Sequence, residues 1–124
     1  MVIDHIGIAV SDFEASKRFY SKVLATLGLE LIAEDQGWVG FGKGDKADFW
    51  FGSDETVQLP MHIAFAADSR EQVDQFYAAA IEVGAIDNGK PGLREIYHAD
   101  YYGAFVLDPD GHNIEAVCHR SQSE

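Results

Sequence analysis

Apolar and polar residues alternate near the start of the chain, in DHIGIAVSD at residues 4–12, and the pattern returns in MHIAFAADS at residues 61–69. In both copies the large apolar residues occupy every second position, which is the period of a half-buried β-strand. The opposite face carries His5 in the first copy and His62 in the second, each beside small residues. The chain is therefore expected to contain two related halves.

A helical pattern follows each of these strands. Apolar residues recur at helical spacing on one side of each segment: Phe19, Tyr20, Val23, Leu24 and Leu27 in the first, and Val73, Phe76, Tyr77 and Ala80 in the second. Ser11 with Glu14, and Asp68 with Glu71, have capping-box spacing, which predicts that Ser11 and Asp68 cap the two helices. Each predicted helix has one apolar face to bury against a sheet.

Short aromatic runs punctuated by glycine come after each helix. They are LELIAE, GWVGFG and ADFWFG in the first half, and GLREIYH, YYGAFVLDPDG and HNIEAVCH in the second. These runs predict three strands per half, and DPDG at 108–111 predicts a turn. We therefore expect a single α+β domain over residues 1–124, with repeats at 1–55 and 58–120 and with GSDETVQLP at 52–60 as their connection.

Charge and composition exclude several function classes. Nine basic and 21 acidic residues give a formal net charge of −12, the wrong sign for nucleic acid or anionic lipid. No apolar run approaches the roughly 20 residues of a membrane helix, so neither nucleic acid nor a membrane is an expected partner. Cys118 is the single cysteine, and the first residues lack the basic charge of a signal peptide, which predicts a cytoplasmic protein.

Two histidines and one glutamate are candidate metal ligands. A lone histidine on a strand is commonly structural, but His5 and His62 occupy equivalent positions on faces lined by small residues. Glu115 lies between Ile114 and Ala116 on the opposite face to both, so it looks into the same cavity if the isoleucine packs under the helix. Two imidazoles and one carboxylate are typical of iron(II) sites and are compatible with other divalent ions.

The sequence resembles the glyoxalase, bleomycin-resistance and extradiol-dioxygenase superfamily, also called the vicinal oxygen chelate group. The resemblance lies in the two halves, each a strand, a helix and three strands, and in His5 of DHIGIAVSD, His62 of MHIAFAADS and Glu115 of DPDGHNIEAV. The most specific stretch, FVLDPDGHNIEAV, is similar to the final hairpin of a glyoxalase-like domain. The resemblance implies two βαβββ modules that form an incomplete barrel around a metal ion, often across a homodimer. It implies that His5, His62 and Glu115 bind a divalent ion, Fe²⁺, Mn²⁺, Ni²⁺ or Zn²⁺.

A fourth family position departs from the glyoxalase I pattern. Aligning GFGKGDKADFWF with AFVLDPDGHNIE puts Phe51 where glyoxalase I has a carboxylate that is both ligand and base. Three ligands match the dioxygenase pattern better, and extradiol enzymes also need a histidine and a tyrosine over the metal. His98, Tyr101, Tyr102 and His112 are the candidates, and no spacing selects among them.

The resemblance implies a metal-dependent enzyme of the lyase, isomerase or dioxygenase type that chelates a small molecule through two vicinal oxygens. His98 is a candidate base and Tyr102 a candidate substrate donor if their strand face looks into the cavity; otherwise they are surface or helix-packing residues. The candidate substrate-binding residues are Trp38, Phe49, Phe51 and Tyr101. For the first three, a place in the sheet core is an equal alternative.

Two other function classes remain open. The protein could be a metal-free module that sequesters a small molecule in the groove, although three converging ligands argue against it. It could also be a degenerate structural domain that keeps the ligands by descent. Metal content after purification, and its loss in His5→Ala, distinguishes an enzyme from a sequestering module, whereas a ligand or an activity excludes the third reading. His112, beside the DPDG turn, is expected to be exposed.

Overall fold

A computed structural model describes residues 3–54, 56–58 and 60–121, so residues 55 and 59 of the predicted connection lie outside the described residues. The elements, in chain order, are β1 (Ile6–Val10), α1 (Phe13–Ala25), β2 (Glu30–Asp35), β3 (Trp38–Lys43), β4 (Lys46–Ser53), β5 (His62–Ala66), α2 (Arg70–Glu82), β6 (Ile86–Leu93), β7 (Tyr102–Leu107) and β8 (Asn113–Cys118). A strand, a helix and three strands thus occur twice, which confirms the predicted α+β fold of two βαβββ modules.

The two sheets have the same topology. Their strand orders are β1-β4-β3-β2 and β5-β8-β7-β6. In each sheet the first strand pairs in parallel with the last, and the remaining pairs are antiparallel. The sheets share no strand pair within the part of the chain that is described, so they do not close into a barrel.

Each helix covers one face of its own sheet, and the opposite face is called here the open face. The buried apolar residues of the helices are Phe19, Tyr20, Val23 and Leu24 in α1, and Val73, Phe76, Ala79 and Ala80 in α2. Under α1 the strand residues Ile8 and Val10 are also buried, as the alternation predicted. Neither helix has the length and apolar character needed to cross a membrane.

The predicted helix caps were wrong by one residue in both modules. Asp12 caps α1 and Ser69 caps α2, because the side-chain oxygen of each accepts a hydrogen bond from the backbone N–H three residues later. Ser11, predicted as the first cap, donates its hydroxyl to Asp110 of the other module at 2.5 Å. Asp68, predicted as the second, is the residue before the cap.

The strand predicted in GLREIYH was also wrong. β6 ends at Leu93, and residues 94–101 form the loop that leads to β7. Within this loop the backbone N–H of Tyr97 donates to the carbonyl of Arg94 at 2.9 Å. The apolar side chains that suggested a strand are exposed: Ile96 keeps 86% of its surface and Tyr97 keeps 59%.

The DPDG turn joins the two modules through a buried carboxylate. Asp108 is 6% exposed, and its Oδ2 accepts a hydrogen bond from the hydroxyl of Tyr20 on α1 at 2.5 Å. Its Oδ1 accepts bonds from the backbone N–H groups of Asp110 and His112, at 2.9 and 2.8 Å. Burial and the charge of Asp108 raise the pKa of Tyr20 well above its ordinary value. One side chain therefore fixes the turn and holds it against the first module.

His112 is buried, not exposed as its place beside the turn suggested. It has 0% exposure, and its Nδ1 accepts a hydrogen bond from the backbone N–H of Met61 at 2.9 Å. Its Nε2 lies 3.1 Å from the side-chain nitrogen of Gln58. Gln58 in turn exchanges two hydrogen bonds with the backbone of Ala9, each 2.9 Å long. His112 is therefore a structural residue at the junction of the modules.

We expect Asp108→Ala to lower the free energy of unfolding by about 2–4 kcal/mol, because it leaves the buried Tyr20 hydroxyl and two turn N–H groups without an acceptor. The matched control is Asp45→Ala, an exposed residue of the β3–β4 turn, which should change it by less than about 0.5 kcal/mol. Urea denaturation followed by circular dichroism measures both. Equal effects of the two substitutions would contradict the bridging role of Asp108.

Candidate metal centre

Glu115 is the centre of a polar cluster on the open face of the second sheet. Its neighbours Ile114 and Ala116 are buried in the core, which turns the carboxylate away from α2. Glu115 has 0% exposure, and its Oε1 lies 2.8 Å from Nε2 of His62. Its other oxygen accepts a hydrogen bond from the hydroxyl of Tyr101. A buried carboxylate is costly without such partners, so these two side chains define its position.

Tyr101 serves as a hydrogen-bond donor in this cluster. Burial and the hydrogen bond to Glu115 raise the pKa of Tyr101 well above its ordinary value, so the hydroxyl keeps its proton at neutral pH. Gly103 leaves space for this contact, since a Cβ atom there would lie 3.2 Å from Oε2 of Glu115 and 3.2 Å from the Tyr101 ring. Tyr101 was predicted to bind substrate, and in the structure its hydroxyl is hydrogen-bonded to the carboxylate of Glu115.

The third predicted ligand, His5, immediately precedes β1 at the edge of the other sheet. Its side chain is 61% exposed, and its Nδ1 is 2.7 Å from Oδ1 of Asp4. It lines a cavity of about 360 Å³ with Gly7, Trp38 and Trp50, among others. In residues 3–54, 56–58 and 60–121, no group of three or more His, Cys, Asp or Glu side chains could hold a metal ion. One chain therefore brings together two of the three predicted ligands.

Strand register identifies the first-module counterpart of Glu115. Ala64 pairs with Glu115 between β5 and β8, and Gly7 pairs with Trp50 between β1 and β4. Because Gly7 and Ala64 are equivalent positions of the repeat, the counterpart is Trp50. The sequence alignment that chose Phe51 was wrong by one residue, and a shift of one residue moves a side chain to the other face of the sheet.

Phe51 therefore belongs to the core and not to a substrate wall. It has 0% exposure, and its ring lies 5.3 Å from Tyr20 and 5.8 Å from Phe41. Phe49 is 2% exposed on the same face, where its ring lies 4.9 Å from Tyr20. Trp38 is partly exposed and lies with His5 on the open face of the first sheet. Of the three aromatic candidates for a substrate wall, Trp38 lines the cavity beside His5, Phe49 lines a different cavity between the modules, and Phe51 lies in the core.

Tyr102 faces α2, as the helix-packing alternative predicted, and not the open face that carries Glu115. Its hydroxyl donates to Oδ1 of Asp74 on α2 at 2.6 Å. The guanidinium of Arg70, also on α2, lies 5.2 Å from the centre of its ring. Since successive residues of a strand point to opposite faces, Tyr101 and not Tyr102 reaches Glu115.

His98 lies in the exposed loop between β6 and β7. Its Nε2 is 2.8 Å from Nδ1 of His119, and its Nδ1 accepts a hydrogen bond from the backbone N–H of Asp100 at 3.1 Å. Its ring lies 5.5 Å from that of Tyr101. His98 thus lies beside Tyr101, which binds Glu115. Its own hydrogen bonds are with His119 and the backbone of Asp100, and not with the Glu115 carboxylate.

A comparison with known protein families identifies the family of the chain. A sequence model of the Glyoxalase/Bleomycin resistance protein/Dioxygenase superfamily matches residues 2–116. The chain belongs to this superfamily. The vicinal oxygen chelate resemblance seen in the sequence is thereby confirmed.

Several solved protein structures have the same fold. A glyoxalase/bleomycin resistance protein from Albidiferax ferrireducens is 30% identical, with 95% of this chain and 99% of that chain covered and a TM-score of 0.82. A glyoxalase/bleomycin resistance protein/dioxygenase family enzyme from Burkholderia phytofirmans is 23% identical, with 95% and 98% covered and a TM-score of 0.72. The oxidase ChaP-H2 is 23% identical, with 98% and 95% covered and a TM-score of 0.70. The last two show a shared fold.

At alkaline pH the stability of the protein should fall more steeply than that of its Tyr102→Phe variant. Burial, then the hydrogen bond and charge of Asp74, raise the pKa of Tyr102 from 10.0 to about 12. Because the folded pKa lies above the unfolded one, the contribution to stability is complete below about pH 10 and is lost as the pH rises towards 12. We expect Tyr102→Phe to lose less stability over this window, measured by urea denaturation at each pH. An equal loss of stability in the wild type and in Tyr102→Phe would contradict the predicted contribution of Tyr102.

Proposed function

We propose that the protein is a divalent-metal-dependent enzyme that acts on a small molecule with two vicinal oxygens, and that its metal centre is shared between the two subunits of a homodimer. The observation that carries this proposal is the buried carboxylate of Glu115, 2.8 Å from the imidazole of His62 on the open face of the second sheet. Membership of the superfamily supports the reaction class.

The donor types fit a divalent ion. Imidazole and carboxylate are ligands that Fe²⁺, Mn²⁺, Ni²⁺ and Zn²⁺ accept, and His62 with Glu115 leaves room for a further ligand because the His62 side chain is 52% exposed. Two protein ligands are too few for a resident ion, and His5 of the partner subunit is the proposed third. An ion held by these residues would supply Lewis-acid stabilisation of charge on the substrate oxygens.

The repeat supports a centre between two copies. His5 and His62 occupy equivalent positions, but they lie on different sheets of one chain, and His5 is 61% exposed. In a two-fold dimer, a contact between the first sheet of one copy and the second sheet of the other occurs twice. Such a dimer would place His5 of each subunit opposite His62 and Glu115 of its partner and would form two equal centres.

The surrounding side chains would orient the ligands. The Tyr101 hydroxyl holds one oxygen of Glu115, so the other oxygen stays directed towards His62. The Phe105 ring lies beside the His62 ring, with 6.1 Å between the ring centres. From the first sheet, Trp38 and Trp50 would add an apolar wall that excludes water from the substrate.

Elemental analysis and solution mass test this proposal together. The wild type, reloaded in turn with iron(II), manganese, nickel and zinc, should hold about one ion per chain with at least one of these metals and should have the mass of a dimer. A protein that holds no metal under any loading would overturn the metal-dependent function. A monomer that holds one ion per chain would overturn the shared centre.

A metal-free binding protein is the second candidate, and a cavity favours it. About 390 Å³ of space lies between the modules beside β1 and β5, with a mainly apolar lining that includes Ile6, Leu29, Phe49 and Phe65. This volume is suited to a small apolar ligand. Saturable binding of the fluorescent probe anilinonaphthalene sulfonate to metal-free protein, weakened by Leu29→Gln, would support this candidate. Binding that Leu29→Gln leaves unchanged would contradict it.

A further inference from the structure

The guanidinium of Arg94 lies over Phe105 on the open face of the second sheet. Its guanidinium carbon is 5.3 Å from the centre of the Phe105 ring. Its Nη1 donates to the carbonyl of Gly92 at 2.9 Å, and its Nη2 donates to the carbonyl of Lys90 at 2.7 Å. A cation–π contact and two backbone acceptors thus position the cation.

The backbone of β6 leaves space for this arrangement. A Cβ atom at Gly89 or at Gly92 would lie 3.2 Å from a guanidinium nitrogen of Arg94. Gly89 also has a φ of +148°, a conformation that side chains rarely adopt. The absence of a side chain at both positions therefore leaves space for the guanidinium of Arg94.

The guanidinium of Arg94 lies next to the candidate metal centre. Phe105, whose ring lies under the guanidinium, pairs with Glu115 between β7 and β8, and its ring centre lies 6.1 Å from that of His62. The backbone N–H of Arg94 donates to the carbonyl of Tyr101 at 2.8 Å, and Tyr101 is the donor to Glu115. Arg94 is therefore connected to the proposed centre on two sides, through a ring and through a backbone bond.

The charge of Arg94 is available to a ligand. None of the ion pairs found among the described residues includes it. Two of its five N–H groups bind backbone carbonyls, and within the part of the chain that the structure describes the others have no hydrogen-bond partner and can meet a planar acceptor. In a protein with a formal net charge of −12, an anion needs such a local cation to approach the centre.

We propose that Arg94 binds a carboxylate of the substrate. This inference rests on the proposed function and narrows it: the substrate would be a small acid whose carboxylate meets the guanidinium while its two vicinal oxygens reach the metal. A carboxylate is the planar anion that an arginine fork binds with two parallel hydrogen bonds. Arg94 would act in substrate binding and specificity, and the reacting oxygens would lie with the metal ligands.

Two pairs of probes test this assignment by titration calorimetry. Metal-loaded protein is titrated with protocatechuate and with catechol, which share the vicinal oxygen pair and differ by a carboxylate. Metal-free protein is titrated with benzoate and with benzamide, which have no chelating pair. The wild type should prefer the acid by about tenfold or more in each pair, a difference of about 1.4 kcal/mol.

The variants separate charge, geometry and fold. Arg94→Gln should abolish the preference for the acid, with catechol affinity and metal content unchanged, and Arg94→Lys should keep part of it because the charge stays and the fork is lost. The control is Arg18→Gln, an exposed arginine of α1, which should behave as the wild type. Thermal unfolding verifies that each variant is folded.

Each outcome bears on one claim. A preference for the acid that survives in Arg94→Gln, or that is absent from the wild type, would overturn the role of Arg94. Phosphate that binds metal-free protein as tightly as benzoate would overturn the assignment to a carboxylate. If no metal binds but benzoate binding depends on Arg94, the metal-dependent function fails and the anion site stands.

Discussion

Phe51→Ala should lower the free energy of unfolding by about 3–5 kcal/mol, the usual cost of deleting a fully buried aromatic ring. The ring has 0% exposure and packs against Tyr20 and Phe41 beneath α1. Its removal would open a cavity that close-packed neighbours cannot fill. Urea denaturation of the wild type and the variant measures the difference.

The adjacent residue provides the matched control. Trp50 lies on the open face, is partly exposed, and lines the cavity of His5. Trp50→Ala should therefore cost less than Phe51→Ala, by at least about 1 kcal/mol, although it deletes the larger ring. A larger loss of stability in Trp50→Ala than in Phe51→Ala would contradict the register of β4. It would mean that Phe51, and not Trp50, lies on the open face beside His5.

Glu115→Gln should reduce the bound metal from about one ion per chain to less than about a tenth of that. Glutamine keeps the size of the side chain, but it lacks the negative charge that a divalent cation needs in this donor set. The control is Glu30→Gln, an exposed carboxylate at the start of β2, which should leave metal content unchanged. Elemental analysis after identical loading and desalting gives both values.

A folded Glu115→Gln protein is required for this comparison to be informative. The substitution removes a buried charge, and a buried charge is a cost to the folded state, so the metal-free variant should unfold at the same urea concentration as the metal-free wild type or at a higher one. Undiminished metal binding in Glu115→Gln would contradict its role as a ligand.

The side-chain periodicity was sufficient to predict the helices, most strands and their buried faces. Ile8 and Val10 point under α1 because alternation along a strand is a local property of the chain. β6 was missed because Gly89, Pro91 and Gly92 are typical of loops, and its pairing with β7 is interrupted twice. Here the neighbouring strand imposes extended structure on a sequence that does not favour it.

The candidate site was predictable only in part. The equivalent positions of His5 and His62 follow from the repeat, and the face of Glu115 follows from its neighbours. The choice between Tyr101 and Tyr102 depends on the exact start of β7, and one residue reverses the answer. Arg94 gave no signal in the sequence, because its place depends on a loop that brings it over Phe105.

The position of His5 relative to Glu115 could not be predicted from periodicity at all. Periodicity assigns each side chain to a face of its own sheet, but it does not determine which sheets face each other. The two modules of the chain contact each other through α1 and α2 and through the turn at Asp108, which leaves both open faces available. A second copy is the proposed means of bringing the faces together.

A mixed dimer tests the shared centre most directly. Two differently tagged chains, one His5→Ala and the other Glu115→Ala, would be produced together, and the heterodimer that carries both tags would be isolated and analysed for metal beside each homodimer. A centre shared between subunits places both substitutions in one site and leaves the other intact, so the heterodimer should hold about one ion while each homodimer holds none. A heterodimer without metal, formed by chains whose wild type binds it, would contradict the shared centre.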